Sequence, residues 1–176
     1  METALKNIVI KNGIFLGLAM IIFNFTQYTT GVLYTSNTSL SILLWLVGAA
    51  IYALFITWGI QQYKTANNGQ LAVVDGLKIG VLIGVIAGIF SAIYSVVYTT
   101  YLDPNYYEKV VELALEKMAP LLQRMSEDEV MEFQQGLFEG KPTVISTFIY
   151  AIIGSSLGGL ILGVIIGLIK KTKNSD

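Results

Sequence analysis

Apolar residues occupy this chain in long blocks, not in narrow stripes. No Asp, Glu, Lys or Arg occurs from Asn12 to Tyr63, from Ile79 to Leu102, or from Pro142 to Ile169. Within these blocks apolar side chains fall on every side of a helical projection and never alternate strictly, which favours helices over barrel strands. One Arg, Lys or Asp at the centre of a lipid-embedded helix costs about 2.5–3.5 kcal/mol, and a crossing needs about 20 apolar residues. The three windows hold 52, 24 and 28 residues: room for two crossings and a turn, then one crossing each. The predicted spans are about 13–30 (with room to begin a turn earlier, at Ile8), 40–60, 78–101 and 143–169. The expected fold class is all-α, a four-helix transmembrane bundle forming a single membrane domain over residues 1–176.

Polar residues mark the connections. Thr29-Thr30-Gly31 and the run Thr35–Ser39 favour a turn after the first span. A loop over Gln61–Leu77 carries Lys64, Asn67-Asn68-Gly69 and Asp75. Trp45 stands near one end of span two and Trp58 with Tyr63 near the other, as interfacial aromatics prefer. Residues 103–141 predict an amphipathic helical hairpin between spans three and four. Asp103-Pro104 reads as N-cap and first helical residue. Tyr107, Val111, Ala114, Met118, Leu122 and Met125 then share one face, with Pro120 expected to kink or divide the helix. Ser126-Glu127-Asp128-Glu129 forms a capping box that opens a second helix, whose apolar side is Val130, Phe133 and Leu137. Gly140 stops that helix and Pro142 precedes span four.

Charge sets the expected orientation. The N-terminal segment, the second loop and the C-terminal segment carry seven lysines (Lys6, Lys11, Lys64, Lys78, Lys170, Lys171, Lys173) against Glu2, Asp75 and Asp176, a net +4. The segment from Asp103 to Lys141 carries four cations and nine acids, a net −5. By the positive-inside rule both termini are expected in the cytoplasm and the acidic loop 103–141 outside, in a bacterial cytoplasmic (inner) membrane. The short basic run Lys170-Lys171-Thr172-Lys173 reads as an anchor toward anionic lipid. Lys6 and Lys11 before an apolar run resemble a signal peptide, but no small-residue cleavage pattern follows and the apolar stretch is too long. A retained first span is expected.

Glycine spacing suggests how the spans pack. Gly76, Gly80, Gly84 and Gly88 recur every four residues, as do Gly159, Gly163 and Gly167. Lipid gives no hydrophobic gain for helix association, so close approach across small residues has to supply it. Spans three and four run antiparallel, and a zipper pairing Gly80 with Gly167, Gly84 with Gly163 and Gly88 with Gly159 is expected, give or take a turn. The other arrangement turns each row toward a second copy of the chain, in a homo-oligomer.

Polar side chains within the spans gather toward the outer half. Asn24 and Gln27 lie on span one, Ser91, Tyr94, Ser95 and Tyr98 on span three, and Ser146, Thr147 and Tyr150 on span four. They could line a small outward-facing cavity; the plainer account is interhelical hydrogen bonding, worth about 0.6 kcal/mol each in a membrane. No intramembrane charge joins them, whereas proton relays and ion pathways normally carry one.

The composition is 54% hydrophobic and 13% charged, against about 25% charged in a soluble domain. Without Cys there is no disulfide or thiol chemistry, and without His the usual acid/base group and metal ligand are missing. Glu108, Glu112 and Glu116 form a carboxylate stripe that could attract a divalent cation, though a solvated face is the simpler reading. Met118, Met125 and Met131 read as packing filler rather than copper ligands. The glycine rows have no phosphate-loop context, and no span holds a Lys or carboxylate able to activate its Ser or Tyr residues. No cofactor, metal site or enzymatic activity is expected.

The Lys-flanked first span, the Asn67-Asn68-Gly69 loop leading into Asp75-Gly76-Leu77-Lys78, the glycine-rich third span and the segment Tyr94-x3-Tyr98-x2-Tyr101-Leu102-Asp103-Pro104-Asn105-Tyr106 together resemble the DUF4199 family, small bacterial membrane proteins of unknown function. The resemblance covers nearly the whole chain. It implies four spans and supplies no activity or catalytic residue. The expectation is a non-enzymatic multi-pass membrane protein whose acidic outer hairpin caps the bundle or meets a membrane or periplasmic protein. The alternative is a subunit of a small oligomeric transporter or channel using the polar outer cavity. The lipid bilayer is an expected partner under either reading; nucleic acid is not among the expected ones.

Overall fold

The computed structural model of the chain describes residues 2–172; Lys173 and Asp176, counted in the orientation argument, lie outside the described residues. Among the described residues the chain is all-helical: α1 (Glu2–Thr29), α2 (Thr38–Ala66), α3 (Val73–Val97), α4 (Tyr106–Leu122), α5 (Glu127–Glu139) and α6 (Val144–Lys170). α1, α2, α6 and α3 with its continuation to Leu102 are each long and apolar enough to cross a membrane, at 27 to 30 residues.

Several helices overrun their expected limits. α2 continues beyond Ile60 through Ala66, which shortens the expected 61–77 loop to Asn67–Ala72. Gln61, Gln62 and Lys64 cost a helix little, and Tyr63 gains burial by staying in it. Asn68 and Gly69 then take left-handed conformations (φ 52 and 79) that reverse the chain. Pro120 does not divide α4. It stands in the last turn, where it interrupts little helix, and the break falls after Leu122. The Ser126–Glu129 capping box opens α5, with the Glu129 carboxylate accepting from the Ser126 N–H at 2.8 Å.

α3 is the central helix, and its most extensive contact is with α6. The seam is built from backbone. A β-carbon on Gly76 would stand 2.7 Å from the Gly163 carbonyl oxygen and 2.8 Å from the Gly167 Cα. On Gly80 it would collide with the Gly159 carbonyl, on Gly84 with the Ser155 carbonyl, and on Gly88 it would lie 2.8 Å from the Ile152 Cα. The expected register is therefore corrected. Gly80 seats between Gly159 and Gly163 rather than opposite Gly167, a slip of one to two turns. The observed register draws Gly76 into the seam as well, so four glycines of α3 lie against α6 where the expected pairing used three. Each row is covered within the chain, not turned toward a second copy.

The other side of α3 carries bulk. Ile86 and Phe90 press on Gly13 and Gly17 of α1, and Ile83 on Gly59 of α2. Leu16, Ile56, Ile60, Ile79 and Ile83 are fully buried at this junction. The outside of the bundle is also apolar: Ile22, Trp45, Ile145 and Ile169 are 67–76% exposed, the reverse of a surface adapted to water. At the end holding the lysines, the Lys64 ammonium donates to the Lys170 carbonyl at 2.7 Å, and Leu71 and Thr172 exchange hydrogen bonds at 2.9 and 3.0 Å. The last turn of α6 is thereby tied to the α2–α3 connection. Buried Asn12 joins α1 to α2, its amide donating to Gln62 Oε1 at 3.1 Å.

Candidate functional site

Two chain reversals meet at the opposite end of the bundle. Between α1 and α2, Gly31 adopts φ 72, a left-handed conformation costly for any residue with a β-carbon, and a 3-10 turn over Val32–Tyr34 follows. At its far end α3 widens into a π-helical turn over Tyr98–Leu102, closed by the Asp103 N–H donating to the Tyr98 carbonyl at 2.8 Å. The Tyr106 N–H then donates to the Asp103 carbonyl at 3.0 Å, and α4 begins. Single π turns re-aim the side chains that follow them. Here the expected N-cap role of Asp103 is corrected: Asn105 holds the cap position, and the Asp103 carboxylate turns into the protein, 4% exposed. It finds stronger, charge-assisted partners there than a helix N-terminus offers.

Lys109, six residues on, places its ammonium 2.9 Å from both carboxylate oxygens of Asp103. The Tyr34 hydroxyl donates to Asp103 Oδ2 and lies 2.8 Å from the Tyr98 hydroxyl. The Lys109 ammonium also sits 5.1 Å from the centre of the Tyr34 ring, within cation–π range. Tyr28 and Tyr106 meet the Tyr98 ring edge-on at 5.1 and 5.2 Å, and the Tyr28 hydroxyl donates to the Leu102 carbonyl at 3.1 Å. Burial works to raise the Asp103 pKa. The Tyr34 hydrogen bond, the Lys109 hydrogen bonds and charge, and the Asn105 backbone N–H outweigh it and hold the carboxyl below its ordinary value. Desolvation and the bond to Asp103 push Tyr34 upward, so its phenol keeps its proton. A carboxylate so fully supplied with donors is a weak base. The geometry is that of a clamp joining the α1–α2 turn, the end of α3 and the first turn of α4.

Beneath the clamp lies a cavity of about 160 Å³, lined by Ile21, Asn24, Leu33, Ser91, Tyr94, Ser95, Tyr98 and Tyr106. The fold thus gathers five of the residues expected to form a polar cluster: Asn24, Ser91, Tyr94, Ser95 and Tyr98. The Tyr94 hydroxyl is buried there without a hydrogen-bond partner, while the Asn24 amide is spent on the Met20 carbonyl at 2.8 Å. Gln27, Thr147 and Tyr150 do not join them. Gln27 points to a different groove, and Tyr150 is 68% exposed on α6. The reason is the position of α6, which packs against α3 through the glycine seam on the side of α3 away from α1. Ser146 serves instead at the start of α6, its N–H donating to Thr143 Oγ1 at 3.2 Å.

Tyr34, Lys109, Tyr28 and Tyr106 were not legible as site residues. The signal available was a single Asp directly after an uncharged window, among an unusual density of tyrosines. The carboxylate stripe Glu108, Glu112 and Glu116 is exposed on α4, and among the described residues no group of three acidic side chains is placed to hold a metal ion.

Four long apolar helices with apolar side chains outward define the class of multi-pass helical membrane proteins. Residues 11–172 match the family model DUF4199, described as a protein of unknown function, and the chain belongs to that family. No curated protein and no solved structure matches it.

Proposed function

We propose that this is a non-enzymatic multi-pass protein of the cytoplasmic membrane, with both termini inside and α4–α5 outside, where α4–α5 serve as an acidic element for a partner protein with a basic surface. One observation carries this reading: the helix pair is held at the root of α4, where Val111 is also buried, and presents its charged residues to solvent. Asp103 and Lys109 fix the root of α4 to the bundle, whereas α5 buries no residue fully and leans on α4. The Tyr107 hydroxyl, donating to the Leu137 carbonyl at 2.7 Å, holds the two helices together. Glu108, Glu112, Glu116, Glu127, Asp128, Glu129, Glu132 and Glu139 all face solvent, against exposed Lys117, Arg124 and Lys141. Such a field accelerates encounter with a basic partner. The lysine distribution supports the orientation.

The test has two parts. Trypsin added outside spheroplasts should cleave near Lys117 and Arg124 and spare the terminal lysines; the opposite pattern overturns the orientation. Crosslinking from α5, repeated with Glu127, Asp128 and Glu132 changed to Lys, should capture a partner only with the native acids. Ion or solute flux through reconstituted oligomers, unaffected by those changes, would instead favour the transporter-subunit reading.

A further inference from the structure

α6 carries a second glycine pair that the α3 seam leaves uncovered. No atom lies within 4 Å of where a β-carbon would stand on Gly154 or Gly158. On α2, a β-carbon at Gly48 would make only ordinary contact with Phe23 at 3.5 Å and Met20 at 3.9 Å. Between α1, α2 and α6 these small residues leave a groove of about 740 Å³. Its walls are apolar, with Phe23, Leu44, Trp45, Ile161 and Leu162 prominent. Its polar groups fall in two places. Gln27, Thr35 and Ser41 cluster toward the α1–α2 reversal, while Tyr52 and Ser155, hydrogen-bonded at 2.9 Å, lie midway along their helices. No charged side chain lines it.

We propose that this groove binds one hydrocarbon chain of a membrane lipid whose headgroup is uncharged and bears hydroxyl or ester groups. The inference rests on the membrane placement of the four helices and is independent of the partner reading for α4–α5. Three features select this occupant. The volume lies in the range of about 300–1,000 Å³ typical of small-ligand sites, which are mostly apolar with a few placed polar groups. A flexible chain is slim enough to follow the whole groove. Finally, a phosphate-bearing head at the Gln27–Thr35–Ser41 end would find no Lys or Arg to pair with. Hydroxyl and ester groups match the hydroxyls of Thr35 and Ser41 and the amide of Gln27, which offers both donors and an acceptor.

The two tryptophans make the idea measurable, because Trp45 lines the groove and Trp58 does not. The W58F variant would be reconstituted into phosphatidylcholine vesicles containing rising fractions of diacylglycerol brominated on its chains, with brominated phosphatidylglycerol as the anionic comparison. Trp45 quenching by diacylglycerol should reach its half-point at a several-fold lower mole fraction than quenching by phosphatidylglycerol. Adding Gly158→Leu, which enters open space, should abolish that preference while helicity by circular dichroism stays unchanged. Gly154→Leu is a second filling variant should the first fold poorly, and Ser41→Ala with Thr35→Val should narrow the difference between headgroups without filling the groove. Equal curves for the two lipids overturn the headgroup assignment. Identical curves for the parent and filled variants overturn the groove. Shielding of Trp45 that grows with protein density and tracks a crosslinked dimer assigns the groove to a second copy and overturns the proposal. A chain that never enters the vesicles would instead defeat the membrane placement itself.

Discussion

Lys109 reaches back six residues to hold both oxygens of Asp103 at 2.9 Å, with the carboxylate side chain 5% exposed and the ammonium side chain 46% exposed. That asymmetry defines the role of the pair. Asp103 is buried on the bundle side, and Lys109 brings to it the first turns of a helix whose charged residues lie in solvent.

Removing the acceptor should therefore loosen α4 without unfolding the bundle. Asp103→Asn should cost about 1–3 kcal/mol, the range for disrupting a buried hydrogen-bonded group. Lys109→Ala should cost at least as much, because it leaves the carboxylate, 5% exposed, without its cation. Limited trypsinolysis at Lys117 and Arg124 should speed up in Asp103→Asn while the helical signal is largely kept. A double-mutant cycle with Tyr34→Phe should be non-additive, since the two residues share one carboxylate. Additivity would mean that Tyr34 contributes independently of Asp103.

The same cluster predicts a stability plateau bounded on both sides. The folded pKa of Asp103 lies below its ordinary 3.8, so its contribution is present above 3.8 and is lost as pH falls through the depressed value. That of Tyr34 is raised above 10.0, so its contribution is full below 10.0 and fades as pH rises toward the raised value. Melting midpoints in detergent should be flat between these limits and fall outside them. Asp103→Asn should flatten the acid limb and Tyr34→Phe the alkaline one.

Two glycine-to-leucine changes on the long helices should behave oppositely. Gly84→Leu drives a side chain into the Ser155 backbone, which cannot move aside as a flexible side chain would. It should cost at least the upper part of the about 1–3 kcal/mol seen for overpacking. Gly154→Leu meets nothing within 4 Å and should leave the melting midpoint nearly unchanged. Equal losses in both variants would show that glycine composition matters here and the seam does not.

Ser126→Ala should weaken α5 selectively. The Ser126 hydroxyl and backbone N–H both engage the Glu129 carboxylate at 2.8 Å, and losing an N-cap costs about 1 kcal/mol. Amide exchange should quicken in the first turn of α5 and stay unchanged in α6. Under the partner reading, capture through α5 should weaken in parallel.

The sequence by itself determined the helices, because charge is excluded from long apolar runs whatever packs against them, and local chemistry marks the ends: Ser126 with Glu129, Gly140, and Asn68 with Gly69. It also indicated that the glycines of α3 and α6 would meet, since small residues every four positions lie on one face of a helix. The register of that meeting was decided only in three dimensions. A glycine row fits a facing row equally well after a slip of one turn, and the choice fell to whichever offset brought Gly76 into contact. The polar site was decided in the same way. Asn24 gathers with Ser91, Tyr94, Ser95 and Tyr98 because α1 packs on α3. Thr147 and Tyr150 are left out because the glycine seam commits α6 to another side of that helix. The clamp was the least legible feature, since Tyr34 and Asp103 are 69 positions apart. Only a π turn, which no local pattern announced, aims the carboxylate inward to meet the phenol.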